Sequence, residues 1–378
     1  MSGIYIHVPF CKKKCIYCDF YSVARLEYKS RYLDAVVREL NARHGLLADA
    51  EGAVGTLYVG GGTPSLLKPC ELAVITDGIF SLADRSKIQE FTIEVNPDDV
   101  TADYASQIAK LGVNRVSIGI QSFNDSELAT INRRHSAAQA IEAVRAFQQV
   151  GISNVSVDLI FGLPGQTLDT LACNVDTAID LGVRHISVYS LTYEEGTTLW
   201  NMRKRGLVRE ADEETTSAMY DMVRQRLAKA GYEHYEISNF AMPGFRSIHN
   251  SNYWNGTPYL GLGPAAHSYD GMARMYNCPN IRQYLEKIEC GEVAFVKENA
   301  EWWERYDETV MVRLRTSDGL DVNSIRAEYG ELAADVLLKK VDKFVRQGVL
   351  AVVDGKIKLN ENGVLVSDYI IRDLMWDC

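Results

Sequence analysis

Apolar residues in the first half of the chain follow two alternating patterns. Runs rich in Val, Ile, Tyr and Phe occupy 3–10, 56–60, 90–96, 115–121, 154–161 and 185–191. Between them, apolar positions recur at spacings of three and four over 28–44, 68–82, 101–111, 136–150 and 167–181. The first pattern predicts strands and the second amphipathic helices. Four of the helices are predicted to end at Gly45, Gly112, Gly151 and Gly182, because the residue after a helix often adopts the left-handed conformation that glycine tolerates. Strand–helix alternation of this kind predicts parallel βαβ units. A partly open barrel and an open doubly wound sheet fit the pattern equally well, and periodicity alone does not separate them.

The polar motifs stand where strands end. Val59 leads into Gly60-Gly61-Gly62-Thr63-Pro64, Val95 into Asn96-Pro97, Ile120 into Gln121, and Ile160 towards Gly162-Leu163-Pro164-Gly165. That edge is where parallel α/β folds build their sites. A helical stretch follows at 211–230. Residues 232–277, rich in Gly, Pro and aromatics, show weak periodicity, and an irregular stretch of that length in a compact domain is often functional. From about residue 301 the character changes. An amphipathic stretch at 332–347, two β runs joined by Asp354-Gly355, and a short helix at 365–374 predict a winged-helix-like module. The expected organisation is a barrel over 1–231, an irregular segment packed on it over 232–300, and a C-terminal α+β module over 301–378.

Composition narrows the function. A chain of 378 residues suits one large α/β barrel with a small appendage. A net charge of −10 argues against a dedicated nucleic-acid binder. No apolar run reaches the length of a membrane span, and MSGIYIHVPF lacks the features of a signal peptide, so a cytoplasmic location is expected. Eight cysteines in so long a chain are no disulfide framework.

Three of those cysteines cluster just after the first strand, as Cys11-Lys-Lys-Lys-Cys15-Ile-Tyr-Cys18. Thiolates suit iron–sulfur clusters and zinc. Three on one loop can cap three corners of a [4Fe–4S] cubane and leave the fourth iron open for a substrate. The loop's lysines would offset part of the negative charge. Zinc would need a fourth ligand from elsewhere in the chain. Cys70, Cys173, Cys278, Cys290 and Cys378 are isolated and are read as small apolar residues.

The C-x3-C-x2-C spacing after a first strand resembles the radical S-adenosylmethionine superfamily. Tyr5-Ile-His-Val-Pro-Phe10 is similar to its HemN-like branch, over nearly the whole chain. The resemblance implies a partial (β/α)6 TIM-type barrel. It also implies a cluster held by Cys11, Cys15 and Cys18, whose electron cleaves bound S-adenosylmethionine to methionine and a 5′-deoxyadenosyl radical. Contacts to that cofactor would come from Tyr5, Tyr17, Gly61, Gly62, Thr63, Glu94, Gln121, Arg133 and Asp158. Glu94 and Asp158 also draw attention in their own right. Each interrupts an apolar strand, and a carboxylate inside a barrel needs a partner.

Two features depart from the coproporphyrinogen III dehydrogenases of this branch. Those enzymes carry a further cysteine where this chain has Phe20, and an N-terminal extension for which residue 11 as first cysteine leaves no room. A third feature is positive. His249-Asn250-Ser251-Asn252-Tyr253-Trp254 reads H-N-x-x-Y-W and resembles the HemW-type haem chaperones. An imidazole can ligate haem iron, and Tyr253 and Trp254 could pack on a flat macrocycle. His249 is the haem-ligand candidate and His267 a second one. The resemblance thus implies a haem chaperone with a [4Fe–4S] cluster and S-adenosylmethionine. Its partners would be haem, haem-accepting respiratory proteins and an electron donor for the cluster, with membrane contact only through acceptors. The alternative is a coproporphyrinogen III dehydrogenase or another radical enzyme acting on a tetrapyrrole.

Overall fold

The computed structural model describes residues 2–48 and 54–376. Six strands form its central stave: β1 (Ser2–Val8), β2 (Val54–Gly61), β3 (Glu90–Val95), β4 (Arg115–Gln121), β5 (Asn154–Phe161) and β6 (His185–Ser190). They pair in sequence order and all parallel. The helices between them pack on the outer face, where Ile4, Ile6, Leu57, Val59 and Ile93 of the strands join Leu33, Val36, Leu72 and Ile75 of the helices in one core. A helix bridging each parallel pair is what parallel pairing demands. The partial α/β barrel is therefore the observed fold.

Helix boundaries follow local chemistry. Thr101 caps helix Ala102–Lys110, and Ser136 and Thr167 form capping boxes with Gln139 and Thr170. Gly112, Gly151 and Gly182 take the positive φ expected of them. Gly45 does not. The helix does stop just before it, at Lys29–Arg43 with His44 as C-cap, but Gly45 takes no positive φ and opens a further short helix, Gly45–Ala48.

The stretch at 232–300 is more regular than its sequence suggests. It holds β7 (Glu233–Glu236), β8 (Asn239–Ala241), β9 (Tyr259–Leu262), β10 (His267–Tyr269), β11 (Arg274–Asn277) and β12 (Phe295–Glu298). These extend the barrel sheet at both edges, in the order β12-β11-β10-β9-β1-β2-β3-β4-β5-β6-β8-β7. The segment is built into the sheet rather than laid on it. Strands of three or four residues are too short to show alternation, which explains the weak pattern.

The last residues form a separate small core around Tyr306, Val310, Leu337, Phe344 and Ile370. Three antiparallel strands, Leu320–Asp321, Leu350–Val353 and Lys356–Leu359, complete this winged-helix-like unit beside helices Trp302–Leu314 and Glu331–Arg346. Among the described residues no helix is long and apolar enough to cross a membrane.

Candidate functional site

The cysteine loop leaves β1 and is pinned at its base. Cys11 N–H donates to the Val23 carbonyl at 3.0 Å, and Val23 N–H to the Pro9 carbonyl at 2.7 Å. Cys11, Cys15 and Cys18 are half-buried free thiols facing one cavity of about 670 Å³ at the C-terminal ends of the strands. Among the described residues no three potential ligands converge on a single ion. Burial raises the Cys18 thiol, opposed by a hydrogen bond from the Phe20 backbone.

The glycine segment seals against this loop. Gly62 N–H donates to the Val8 carbonyl at 2.8 Å. A Cβ on Gly62 would stand 2.7 Å from the Phe10 carbonyl oxygen and 3.1 Å from Cys11 Sγ. Thr63 Oγ1 lies 3.4 Å from the same sulfur. Gly61 has φ +108 and its N–H points to Glu94 Oε2 at 3.1 Å.

Glu94 and Asp158 both line this cavity at the barrel mouth, and the protein supplies partners for both. Tyr58 donates to Glu94 Oε1 at 2.8 Å, and Ser117 Oγ sits 3.2 Å from Asp158 Oδ1. Pairing register explains the grouping, since Glu94 faces Ser117 and Asp158 faces Gly119 and Ser187 on neighbouring strands. Burial pushes the Glu94 carboxyl up to about 7, helped by the nearby Asp158 and opposed by Tyr58. Burial also raises Asp158, against hydrogen bonds from Ser187 and Ser117 and the positive Arg115.

Gln121 ends β4 with φ +71, left-handed for a non-glycine residue, at a bulge between Gly119 and Gln121. Sparsely populated backbone of this kind collects at ligand sites. Arg133 comes off the following turn and reaches back. It donates to Cys15 Sγ at 3.4 Å, to Asn96 Oδ1 at 2.6 Å and to the Gly119 carbonyl. Its Nε is buried without a hydrogen-bond partner among the described residues. That orphaned donor fits a ligand with a carboxylate or carbonyl oxygen. Tyr17 lies beside the loop, its phenol raised above its ordinary value by burial. Tyr5 stands deeper, its hydroxyl 3.2 Å from His7 Nδ1.

Two of the loop lysines have specific partners, Lys12 to Asp99 Oδ1 and Lys13 to Asn132 Oδ1, each at 2.6 Å, and Lys13 and Lys14 line the cysteine cavity. Asn96, Asp99 and Tyr58 contact the site's residues, although sequence reading names no role for Asn96 and passes over Asp99 and Tyr58. Tyr58 carries the same signal as Asp158, a polar group in an apolar strand. Asn96 stands in the strand-end motif Asn96-Pro97, whereas Asp99 carries no signal, since it looks like an ordinary turn residue. Of the remaining cysteines, Cys70, Cys173 and Cys290 are exposed rather than packed inside, Cys278 is half-buried against the main core, and Cys378 lies outside the described residues.

His249 is not open to a ligand. The residue is 1% exposed. Nδ1 lies 2.8 Å from Thr56 Oγ1 and Nε2 2.9 Å from the Tyr253 hydroxyl, and the ring stacks on Tyr58 at 5.0 Å. Tyr253 and Trp254 of the same short helix, Ile248–Trp254, reach further and wall a second cavity of about 610 Å³. It shares Asp19 and Phe20 with the cysteine cavity, and Phe20 is 72% exposed at that boundary.

Comparison with known proteins agrees with this architecture. Residues 5–173 match the sequence profile of the Radical SAM superfamily, and residues 302–366 that of the HemN C-terminal domain. The chain is 31% identical to "Heme chaperone HemW" of Lactococcus lactis over 377 residues, covering 100% of this chain and 98% of that one. It is 33% identical to the Escherichia coli protein of the same name, covering 98% and 97%. For that of Mycobacterium tuberculosis the figures are 35%, 99% and 94%. Among solved structures, the coproporphyrinogen III oxidase HemN of Escherichia coli superposes with a TM-score of 0.85 at 22% identity, covering 99% of this chain and 90% of that one, which shows the shared fold.

Proposed function

The chain belongs to the HemW family of the radical SAM superfamily, and we propose that it is a haem chaperone that binds haem and passes it to acceptor haem proteins, on a scaffold that also holds a [4Fe–4S] cluster and S-adenosylmethionine. The observation that carries this reading is the pair of adjoining cavities. One is walled by the three thiols, Glu94 and Arg133, the other by Tyr253 and Trp254 of the H-N-x-x-Y-W segment.

In the first cavity, Cys11, Cys15 and Cys18 would each hold one iron. The unpartnered Arg133 Nε, the strained Gln121 and the carboxyls of Glu94 and Asp158 would take the polar groups of S-adenosylmethionine. Gly61, Gly62 and Thr63 would let its amino-acid end approach the backbone, and Tyr17 would close one side, whereas Tyr5 lines the second cavity instead. When bound, the cluster and cofactor supply one-electron chemistry. The residues around them bind, orient and exclude water. Acceptors would be haem-dependent respiratory proteins, with membrane contact made through them, and a separate protein would donate electrons to the cluster.

Phe20, at the boundary of the two cavities where the oxidases carry a cysteine, weighs against coproporphyrinogen turnover. The test uses the cluster-loaded full chain. Haem added to it should give a bound-haem spectrum, and the loaded protein should transfer haem to an apo acceptor. Absence of binding, or formation of protoporphyrinogen IX from coproporphyrinogen III with reductant and S-adenosylmethionine, would reject the chaperone reading. Replacing Cys11, Cys15 or Cys18 by Ser should each remove most of the cluster iron.

A further inference from the structure

Seven histidines occur in the chain. Six use a ring nitrogen within the protein: His7 to the Tyr21 carbonyl, His44 to Asn41, His135 to Ile120, His185 to Ser156, His234 to Ile237 and His249 to Thr56. His267 alone makes no ring hydrogen bond among the described residues. It is exposed on β10 and faces the second cavity, the one bounded by the barrel's β9–β11 edge and by helices Trp302–Leu314 and Val322–Tyr329 of the C-terminal unit.

The backbone before it is held in place at some cost. Gly263 has φ +96 and Ala265 φ +62, the latter in a left-handed region that a non-glycine residue occupies only under strain. A Cβ on Gly261 would stand 1.9 Å from the His267 carbonyl oxygen, so only glycine lets β9 and β10 lie this close. Burial and the neighbouring Arg274 lower the His267 imidazole below its ordinary value. At neutral pH it is the neutral ring that metals take.

The rest of the cavity suits a flat, acidic macrocycle. Tyr253, Trp254 and Tyr259 supply aromatic wall, and Tyr253 meets Tyr259 edge-on at 4.7 Å. Arg274 and Arg305 reach it as cations. Arg274 is already paired with Glu308, and Glu328 and Asp19 also line the cavity, so a carboxylate guest would have to exchange for an internal partner.

We propose that this cavity is the haem site, with His267 as the iron ligand and Tyr253 and Trp254 flanking the ring. This rests on the reading of the chain as a haem carrier. The bond formed is a lone-pair donation from one imidazole nitrogen to iron in place of a water molecule, with no change of oxidation state.

The experiment titrates cluster-loaded full chain with ferric haem and follows the Soret and spin-state bands. It compares the parent with His267→Ala, His249→Ala and, as control, the remote His44→Ala. Metal-free protoporphyrin IX is titrated in parallel. Loss of the histidine-ligated spectrum in His267→Ala, with binding weakened about tenfold or more and the spectrum restored by added imidazole, supports the assignment. So does metal-free porphyrin binding that His267→Ala leaves unchanged. A His267→Ala spectrum identical to the parent overturns the assignment while the carrier reading stands. So does loss of the ligated spectrum in His249→Ala alone, with cluster absorbance and circular dichroism intact. A parent that takes up no haem removes both the site and the carrier reading.

Discussion

The Tyr58 hydroxyl donates to Glu94 Oε1 at 2.8 Å, and it does so at the mouth of a barrel where that carboxyl is pushed up to about 7. In an unfolded chain the same acid ionises near pH ~4.3. The folded state therefore keeps the proton longer. The stability contributed by Glu94 is fully present below the unfolded value and is lost as pH climbs through about 7. Melting temperature should fall across this window in the parent, and by less in Glu94→Gln, which has no proton to lose. Equal pH slopes in the two proteins would refute the assignment. The affinity of the cluster-loaded chain for S-adenosylmethionine should rise through the same window, because the ionised carboxylate attracts that cation better than the acid does. Tyr58→Phe removes an interaction that favours ionisation and should move the window to higher pH.

Gly62 gives a steric prediction. The Cβ of Gly62→Ala would meet the Phe10 carbonyl at 2.7 Å and Cys11 Sγ at 3.1 Å. The first neighbour is backbone, so relief comes only by shifting the loop that carries the thiol. A cost of about 1–3 kcal/mol is expected from denaturant melts. Iron content after reconstitution should fall together with it. Gly45→Ala is the control, since a Cβ there meets nothing within 4 Å, and it should leave the iron content unchanged. Full iron loading in Gly62→Ala would show that the loop yields more easily than its packing suggests.

What could be read from sequence depended on how far each feature is local. The six parallel strands announced themselves because βαβ units repeat their periodicity over long runs. The cysteine loop did so because C-x3-C-x2-C lies within eight residues, Cys11 to Cys18. Glu94 and Asp158 stood out as carboxyls in apolar strands, although the partners found for them, Tyr58 and Ser117, come from neighbouring strands and no local pattern names them. The edge strands β7 to β12 escaped because three or four residues carry no period. His249 and His267 look alike as isolated imidazoles in a Gly- and aromatic-rich stretch. Only the fold reveals that one ring is enclosed by Thr56, Tyr58 and Tyr253 while the other has no hydrogen-bonding partner among the described residues.

That enclosure makes His249 a support for Tyr253. Burial drives the His249 ring down to about 3, so it is neutral across the physiological range. Its contribution to stability is present above the unfolded value of ~6.5 and is lost as pH falls towards about 3. His249→Ala would leave the Thr56 and Tyr253 hydroxyls without their imidazole partner and a hollow beside Tyr58. A loss of about 2–4 kcal/mol follows from the unmade hydrogen bonds and the cavity together, read from urea melts at neutral pH. The deficit should shrink as the pH is lowered below about 6, where the parent itself pays to keep the ring uncharged. Tyr253→Phe separates support from ligation. If Nε2 must leave the Tyr253 hydroxyl to reach iron, deleting that hydroxyl frees the nitrogen and haem binds more tightly. If His249 only holds Tyr253 against the second cavity, Tyr253→Phe leaves haem affinity unchanged or weaker, and the iron's spectrum keeps its histidine signature. Titrating haem into the two proteins side by side decides between these outcomes, and the bonding of both ring nitrogens predicts the second.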